Sequence, residues 1–323
     1  MSPHATVHDI DQRPAVTSLR SKDLLGISDL TADEITLILD TADAMKEIAS
    51  RPIKKVPALR GKTVVNLFFE PSTRTRTSFE IAEKRLSADT LNIAIATSSV
   101  VKGETLADTA LNLEAMQPDM IVLRHSSSGA CHLLSRICRS AIINAGDGMH
   151  EHPTQALLDA YTILRHKKKL NGLQVTIVGD VYHSRVARSA IHLFSKVGAK
   201  VTLCGPPELL PEIATTLASN LRISRSCEEA LRGADVVMAL RVQRERLAGL
   251  KLSLPDYISR YQITMTRLRL AKSDALLMHP GPIIRGLELT WDVADCPQSV
   301  IVEEVKNGVP LRMAVLARAL GKG

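Results

Sequence analysis

The stretch 70–80 concentrates hydroxyl and guanidinium groups at the start of a predicted helix. It follows the continuous apolar run 63–69, which is typical of a buried strand, and it leads into an amphipathic helical spacing. Backbone N–H groups without intrahelical partners and the positive end of the helix dipole would meet these side chains. The polar groups concerned are Ser72, Thr73, Arg74, Thr75 and Arg76. The pattern predicts a site for phosphate or another anion, and a plain helix capped by Ser72 is the alternative.

A second polar site is predicted where Pro153 opens a helix. Proline suits the first helical turn, which puts His152 at the N-cap and Gln155 one turn further on. The positive helix end lowers the pKa of an imidazole and favours a neutral ring, which can donate one N–H to polarise a carbonyl. A metal site built on His150, Glu151 and His152 is the less favoured alternative, because no third group of ligands has metal-binding spacing.

Single arginines follow other apolar runs of the sequence. Arg124 ends a predicted strand. Arg185 lies in the first turn of a predicted helix, where the dipole prefers acids, so a ligand better explains its charge. Arg241 and Gln243 alternate along the predicted strand 235–241 and would therefore share one of its sides.

The last long apolar run is followed by a His-Pro-Gly-Pro segment. Pro280 and Pro282, on either side of Gly281, fix the backbone and leave carbonyl groups that can accept N–H groups from a ligand. Together with the arginines, these groups indicate a site that holds two anionic molecules and stabilises a developing oxyanion. The turn 178–185 lacks the G-x-G-x-x-G spacing of a dinucleotide site, so no cofactor is expected. The sequence also shows no Cys or Ser nucleophile beside a base, and no metal is expected.

Short apolar runs alternate with helical periodicity, which predicts an α/β fold of two doubly wound parallel-sheet domains. Strands are predicted at 63–69, 91–96, 120–124, 141–145, 174–179, 200–204, 235–241 and 275–279. Helices are predicted from a capping box at Thr31 and at 153–168, 184–197, 207–219, 258–272 and 309–320. The expected divisions are a flexible extension 1–20, a first domain 21–152, a linking helix 153–168, a second domain 169–305 and a C-terminal helix 306–323 that packs back on the first domain. Because the polar groups follow strand ends in both halves, we expect the active site in the cleft between the domains.

The composition narrows the choice of partners. A chain of 323 residues exceeds the usual size of one core, which favours two domains. The net charge of +7 suits an anionic partner, but no long Lys/Arg cluster occurs and aromatic residues make up only 3%, which disfavours nucleic acid. The five cysteines lack C-x-x-C spacing, no apolar run approaches a membrane span, and the first residues lack a signal peptide. We therefore expect a cytoplasmic protein without a membrane or nucleic-acid partner.

The residues described above resemble the catalytic chain of the aspartate carbamoyltransferase family, over the range 24–320. The run 69–80 resembles the family's carbamoyl-phosphate signature, and 152–155 resembles its second motif. The segment 241–246 resembles the family's aspartate-binding segment, and 279–282 its last loop. The resemblance implies transfer of the carbamoyl group of carbamoyl phosphate to the amine of L-aspartate. The products would be N-carbamoyl-L-aspartate and phosphate, in de novo pyrimidine biosynthesis.

The resemblance also implies a role for each site residue. Carbamoyl phosphate would be bound by Ser72, Thr73, Arg74, Thr75, Arg124, His152, Gln155, Pro280, Gly281 and Pro282. Aspartate would be bound by Lys102, Arg185, Arg241 and Gln243. The catalytic residues would be Arg74, Lys102, Arg124 and His152. Of these, Arg124 and His152 would stabilise the carbamoyl oxygen as its negative charge grows. Gln155 and the carbonyl groups of Pro280 and Gly281 would receive the carbamoyl NH₂ group.

Family members are trimers with active sites at the subunit contacts, so the resemblance implies a homotrimer with shared sites. The loop 98–104 would enter the neighbouring subunit's site, with Lys102 touching both substrates and Ser98 nearby. The resemblance leaves open whether regulatory or dihydroorotase-like chains join the trimer. Carbamoyl phosphate is expected to bind first, and the departing phosphate is expected to take the proton of the attacking amine.

Two alternative functions stand beside carbamoyl transfer to aspartate. Ornithine is the alternative acceptor, and Arg185 and Arg241 disfavour it because they would repel its cationic side chain. A catalytically silent scaffold is the second alternative. Its sign would be the loss of an anion-site residue, and none is lost.

Overall fold

A computed structural model describes residues 16–94, 103–243 and 252–321. The described residues contain two parallel β-sheets, which follow one another along the chain. The first sheet consists of β1 (Thr63–Phe68), β2 (Asp89–Ala94), β3 (Met120–His125) and β4 (Ala141–Asp147). The second consists of β5 (Gln174–Val178), β6 (Lys200–Cys204), β7 (Leu221–Ser224), β8 (Val236–Ala239) and β9 (Leu276–Met278). The predicted α/β class with two parallel sheets is confirmed.

Each sheet reverses the direction of its strand order once. The order is β2-β1-β3-β4 in the first sheet and β7-β6-β5-β8-β9 in the second. Val64 pairs with Met120 between β1 and β3, and Val175 pairs with Val236 between β5 and β8. At these two junctions the chain leaves neighbouring strands in opposite directions, which opens a crevice at their carboxyl ends. A doubly wound sheet binds its ligands at such a crevice.

Helices cover the faces of both sheets. The helices of the first half are α1 (Ala32–Ser50), α2 (Thr73–Arg85), α3 (Leu106–Glu114), α4 (Ala130–Ile137) and α5 (Pro153–Lys167). Those of the second half are α6 (Arg185–Lys196), α7 (Cys227–Leu231), α8 (Leu254–Tyr261), α9 (Met265–Leu268), α10 (Trp291–Ala294) and α11 (Ile301–Leu320). Within the three described ranges, every helix is too short or too polar to cross a membrane.

The strands of the first sheet send alternate side chains into two cores, as period-two geometry requires. In β1, Val64 and Phe68 face one core, whereas Val65 and Leu67 face the other, which is shared with α3 and α4. The first of these cores continues through α5 and α6 to the second sheet. Because α5 is buried from Pro153 to Ile163, it forms a wall common to both halves.

The last helix, α11, returns to the first half of the chain and packs against α1, α2 and α5. It begins at Ile301, earlier than the helix predicted at 309–320 and the C-terminal helix division 306–323. It also contains Pro310, a residue that normally interrupts a helix. Here Pro310 is buried, and Nδ2 of the buried Asn307 donates to a threonine hydroxyl of α5 at 3.0 Å. These tertiary contacts hold the helix together through the proline.

The predicted strands agree with the observed ones to within two residues at each end, and the last two positions of the predicted strand 91–96 lie outside the described residues. The helix predicted at 258–272 is wrong, since Gln262 has extended backbone angles and Ile263 bridges to Leu289, which separates α8 from α9. The helix predicted at 207–219 is instead a 3₁₀ segment, Glu212–Leu217. Neither β7 nor the short helices α3, α4, α7 and α10 were predicted.

Part of the expected extension 1–20 contacts the folded body. The backbone N–H of Arg20 donates to Oε1 of Glu34 at 2.8 Å. Nη1 of Arg318 on α11 donates to the carbonyl of Thr17 at 3.1 Å. The segment from Thr17 onward is therefore tied to α1 and α11.

Candidate active site

A cavity of about 510 Å³ lies where the carboxyl ends of the two sheets face each other. The start of α2, the ends of β3 and β4 and the start of α5 form one wall. The start of α6 and the segments after β8 and β9 form the other, and α11 contributes to the lining. The predicted site residues that line it are Ser72, Thr73, Arg74, Thr75, Arg124, His152, Gln155, Arg185, Arg241, Gln243, Pro280, Gly281 and Pro282. Ser98 and Lys102, the two residues predicted for a neighbouring-subunit loop, lie outside the described residues.

The first turn of α2 leaves its backbone donors available to the cavity. The N–H of Arg76 reaches the carbonyl of Ser72 one turn back, at 3.1 Å, and the N–H groups before it have no such carbonyl. Ser72 is the N-cap, but its hydroxyl makes no capping hydrogen bond, and the first turn contains no acid. Burial lowers the pKa of Arg74, which nevertheless remains a cation. The turn therefore has the properties of an anion site.

Arg124 and Arg185 meet in the middle of the cavity, one from each half. Oε2 of Glu70 lies 2.8 Å from Nη2 of Arg185 and 3.5 Å from Nε of Arg124. Gly146 makes room for them, because a Cβ there would lie 2.9 Å from Nε of Arg185 and 3.3 Å from Nη1 of Arg124. Burial and the charge of Arg185 lower the pKa of Arg124 to about 9, so it stays cationic at neutral pH. Two cations that share one carboxylate keep a net positive charge, which attracts a further anion.

His152 provides a neutral imidazole. It is the N-cap of α5, its side chain makes no capping bond, and its backbone N–H donates to Oγ of Ser189 at 2.8 Å. The ring is buried, and Nδ1 has no partner among the described residues. Burial, together with the cations Arg124 and Arg185, holds the pKa of His152 well below its usual value. The low pKa agrees with the predicted neutral ring, and its main cause is burial, where the sequence had suggested the helix dipole.

Gln155 and the loop after β9 bring hydrogen-bond acceptors to the cavity. Nε2 of Gln155 donates to Oδ1 of Asp159 at 2.9 Å, which leaves its carbonyl oxygen as the group available to a ligand. In the loop, Nδ1 of His279 accepts from the N–H of Gly281 at 2.8 Å. A Cβ on Gly281 would lie 2.8 Å from Cζ of Arg74, so the loop is packed against the anion site.

Arg241 and Gln243 lie in the loop beyond β8, since that strand ends at Ala239. Val242 between them is buried, and both polar side chains line the cavity. Nε2 of Gln243 donates to the carbonyl of His183 at 2.9 Å, which fixes the orientation of the amide. The two side chains therefore share a side as predicted, but on a loop and not on a strand.

The side chains weighed as metal ligands contact different partners. Nδ1 of His150 lies 3.1 Å from Oδ2 of Asp147, Glu151 accepts from a backbone N–H at 2.7 Å, and His152 lines the cavity. Among the described residues, His132 joins His150 and Asp147 in one group of ligand-type atoms. Both oxygens of Asp147 already accept a hydrogen bond from a backbone N–H or an asparagine amide. That carboxylate is therefore committed to the protein's own donors.

Several residues in or behind the cavity wall were not predicted as site residues. They are Glu70, Gly146, Asp159, Glu304 and Arg312. Glu70 could have been found, because it directly follows the strand that leads to the anion site. The acids and the arginine on α5 and α11 carry no local signal, because they meet only when α11 packs back on the first half.

Two family descriptions match the chain. Residues 22–165 match the carbamoyl-P binding domain of aspartate/ornithine carbamoyltransferase, and residues 171–319 match its Asp/Orn binding domain. The aspartate carbamoyltransferase catalytic subunit of Syntrophotalea carbinolica is 57% identical over 91% of this chain and 94% of that protein. Its counterpart from Geobacter sulfurreducens is 56% identical over 94% of this chain and 97% of that protein. The chain belongs to the aspartate/ornithine carbamoyltransferase family.

Solved structures of both branches of the family resemble this fold. Aspartate transcarbamoylase from Trypanosoma cruzi, in complex with carbamoyl aspartate and phosphate, has a TM-score of 0.84 and 31% identity, covering 94% of this chain and 98% of that one. Ornithine carbamoyltransferase from Pyrococcus furiosus has a TM-score of 0.86 and 32% identity, covering 95% and 100%. The fold is thus common to both acceptors. The choice between them depends on the sequence identities above and on the site itself.

Proposed function

We propose that the cavity is where this carbamoyltransferase joins its two substrates. The chain transfers the carbamoyl group of carbamoyl phosphate to the amine of L-aspartate, and the products are N-carbamoyl-L-aspartate and phosphate. One observation carries the proposal: guanidinium groups from both halves line a single cavity. They are Arg74 and Arg124 from the first half and Arg185 and Arg241 from the second. Two anionic substrates repel each other in water, and a cavity with cations on both walls offsets that repulsion while aligning them.

The phosphate of carbamoyl phosphate binds at the start of α2 in this proposal. Ser72, Thr73 and Thr75 supply hydroxyl and backbone N–H donors, and Arg74 supplies a charged fork. The Gly281 loop lies against Arg74, so it meets the carbamoyl end of the same molecule. Its carbonyl groups and the Gln155 carbonyl oxygen are acceptors, which suits an NH₂ group.

The reaction follows from the groups around the carbamoyl carbonyl. The aspartate amine attacks the carbonyl carbon, the carbonyl oxygen gains negative charge, and the bond to the phosphate oxygen then breaks. Arg124 as a cation and His152 as a neutral N–H donor stabilise that oxygen more strongly in the transition state than in the substrate. The departing phosphate takes the proton of the amine, so the protein needs no general base of its own. In this proposal carbamoyl phosphate binds before aspartate.

Aspartate binds on the opposite wall. Its two carboxylates suit Arg185 and Arg241, whose planar forks match carboxylate geometry, and Gln243 adds a neutral polar contact. Ornithine would bring an ammonium group toward the same arginines. That repulsion supports aspartate as the acceptor.

The most direct test measures carbamoyl transfer to aspartate and to ornithine side by side. We expect a preference for aspartate of at least about 10³-fold in kcat/KM, because a buried like-charge contact costs several kcal/mol. An analogue that joins one phosphonate to the two carboxylates of aspartate should bind at least about 10³-fold more tightly than either substrate. Equal rates with both amines, or weak binding of the analogue, would contradict the proposal.

The assembly is also a proposal. A homotrimer with shared sites would let the loop 98–104 supply Lys102 and Ser98 to a neighbouring subunit's cavity. Mixing Lys102→Ala chains with Arg74→Ala chains should then restore activity, because some sites would receive both intact residues. Hybrid trimers that form and stay inactive would contradict sharing. Whether regulatory or dihydroorotase-like chains join such a trimer is a separate question.

The two family matches also support the proposed division of the chain. It runs from a carbamoyl-phosphate domain 21–152, through the linking helix 153–168, to an aspartate domain 169–305.

A further inference from the structure

Two carboxyl groups lie next to each other at the cavity wall, and one of them, Glu304, lines the cavity. Asp159 lies on α5 and Glu304 on α11, and their exposed fractions are 0% and 3%. Each uses one oxygen for another donor: Oδ1 of Asp159 accepts from Gln155 at 2.9 Å, and Oε2 of Glu304 accepts from the N–H of His279 at 3.1 Å. The other two oxygens, Oδ2 of Asp159 and Oε1 of Glu304, are buried and have no other donor among the described residues. The two carboxyl groups are close enough for each to shift the pKa of the other.

A hydrogen bond between two carboxyl groups requires a proton on one of them. Two ionised carboxylates would instead repel each other strongly at this depth of burial. Burial raises the pKa of Asp159, and burial together with the charge of Asp159 raises the pKa of Glu304. The proton therefore has a defined place, between the two oxygens that lack any other donor.

One proton on the pair balances its charge against Arg312. Arg312 on α11 faces Asp159, and burial lowers the pKa of Arg312 to about 10, so it remains a cation. From the loop after β9, His279 faces Glu304 and lies 3.5 Å from a second buried acid, Glu288. A singly protonated pair carries one negative charge, which Arg312 offsets. A fully ionised pair would leave one buried charge without compensation.

The pair also holds the groups that would receive the carbamoyl NH₂. Through Asp159 it binds Nε2 of Gln155, which leaves the Gln155 carbonyl oxygen for the cavity. Through Glu304 it binds the backbone of His279, whose ring in turn binds the N–H of Gly281. Both sets of acceptors are thus attached to one proton-linked contact between α5 and α11.

We propose that Asp159 and Glu304 share one proton and act together as positioning residues, which keep Gln155 and the 279–281 loop oriented to accept an NH₂ group. This inference rests on the proposed function. It assigns to the pair the selection of carbamoyl phosphate over an acyl phosphate of similar shape without N–H groups, such as acetyl phosphate. Loss of the shared proton at alkaline pH releases the acceptors, so kcat/KM for carbamoyl phosphate falls.

The first test replaces the proton by a permanent donor. In Glu304→Gln, the amide N–H can donate to Oδ2 of Asp159 while the amide oxygen still accepts from the N–H of His279. We expect the alkaline fall in kcat/KM to move upward by at least about one pH unit or to vanish. Glu304→Ala, which supplies no donor, should be at least about tenfold less active than Glu304→Gln at pH 7. Glu303→Gln is the matched control, since Glu303 pairs with His166 on the surface, and its profile should follow the wild type.

The second test uses both amides together. Asp159→Asn alone also supplies a donor between the two side chains. The double variant Asp159→Asn/Glu304→Gln places two NH₂ groups face to face, because both carbonyl oxygens are already used. We expect each single variant to keep the preference for carbamoyl phosphate over acetyl phosphate as a competing ligand. In the double variant, the preference for carbamoyl phosphate over acetyl phosphate should be at least about tenfold weaker. That loss exceeds the sum of the two single effects, so the variants are non-additive.

The outcomes separate this inference from the proposed function. If the wild type does not transfer carbamoyl groups to aspartate, the proposed function fails. If the wild type is active and the alkaline limb of Glu304→Gln coincides with that of the wild type, only the shared proton is refuted. Additive effects of the two amides in a folded double variant would refute it as well.

Discussion

In each half, a helix starts just beyond the end of a strand, but the two helix starts differ in capping. At α2, Ser72 is the N-cap without a capping bond, so the first turn leaves its N–H donors unsatisfied by the chain. At α6, the Ser184 hydroxyl accepts from the N–H of Ala187 at 3.0 Å, so the chain caps itself. Both starts lie at the point where the strand order of their sheet reverses.

The difference matches the shapes of the two anions in the proposed reaction. A phosphate has several oxygens in a tetrahedral arrangement, which a turn of backbone N–H groups and hydroxyls can surround. A carboxylate is planar and is matched by the fork of a guanidinium group. In the proposal, the first half therefore surrounds its anion with backbone N–H groups, hydroxyls and Arg74, and the second half binds its anion with the side chains Arg185 and Arg241.

The largest expected effect comes from removing the charge at the backbone site. Arg74→Ala should lower kcat by about 10²-fold or more, because about 3 kcal/mol of transition-state stabilisation is lost. Steady-state kinetics with saturating substrates measure it. Arg76→Ala is the control, since Arg76 follows on the same helix and does not line the cavity. A rate within threefold of wild type for Arg74→Ala would remove Arg74 from the catalytic site.

The side-chain site should respond mainly in affinity for the acceptor. Arg241→Ala should raise the KM for aspartate by about 30-fold or more, which corresponds to one charge-assisted contact. The dissociation constant of carbamoyl phosphate, measured by calorimetry, should change less than threefold. Arg188→Ala is the control, since Nη2 of Arg188 donates to the carbonyl of Tyr182 at 3.1 Å and lies outside the cavity. Equal losses of affinity for both substrates would mean that the second half contributes to the binding of both.

Gly146 lies beside one arginine from each half, so a substitution there should affect both substrates. Gly146 has a φ of +117°, and an added Cβ would press on both Arg185 and Arg124. Gly146→Ala should lower kcat/KM for both substrates by about tenfold, since both guanidinium groups must move. Gly172→Ala has similar backbone strain, with a φ of +77° and open space around the Cβ, so it should lower stability without changing either KM. An effect on one substrate alone would show that only one arginine is crowded.

The last comparison concerns thermal stability. Helix α2 contains a buried acid, whereas α6 contains no acid. Glu83 on α2 is buried, and burial raises its pKa to about 7 from an ordinary 4.5. The folded protein thus holds this proton more tightly than the unfolded chain. The stabilising contribution is complete below pH 4.5 and is lost as the pH rises through about 7.

The α6 sequence contains no acid, so α6 has no counterpart to this titration. Between pH 5 and 8, the Tm of the wild type should fall by several °C relative to that of Glu83→Gln, because a pKa that drops from about 7 to 4.5 on unfolding is worth about 2.5 kcal/mol over that range. Thermal unfolding of both proteins over that range is the measurement. Parallel Tm curves for the two proteins would exclude the buried proton.

The alternation of strands and helices could be predicted from the amino-acid order, and so could the contiguous parts of the site. The Ser72–Thr75 turn and the His152–Gln155 helix start are local features, because each depends on one strand-to-helix junction and its dipole. Their residue types and spacing therefore predict both position and chemistry. The parallel sheets follow from the same alternation, since short apolar runs joined by helices can pair only through crossovers.

The contacts that join those contiguous parts depend on tertiary packing. The contact of Glu70 with Arg185, the space at Gly146 and the Asp159–Glu304 pair each join residues that are far apart in the chain. Their meeting depends on how α5 and α11 pack, and side-chain periodicity does not encode that geometry. Burial then changes the chemistry, because it neutralises His152 and retains a proton on Glu83, and a one-dimensional pattern contains no information about burial depth.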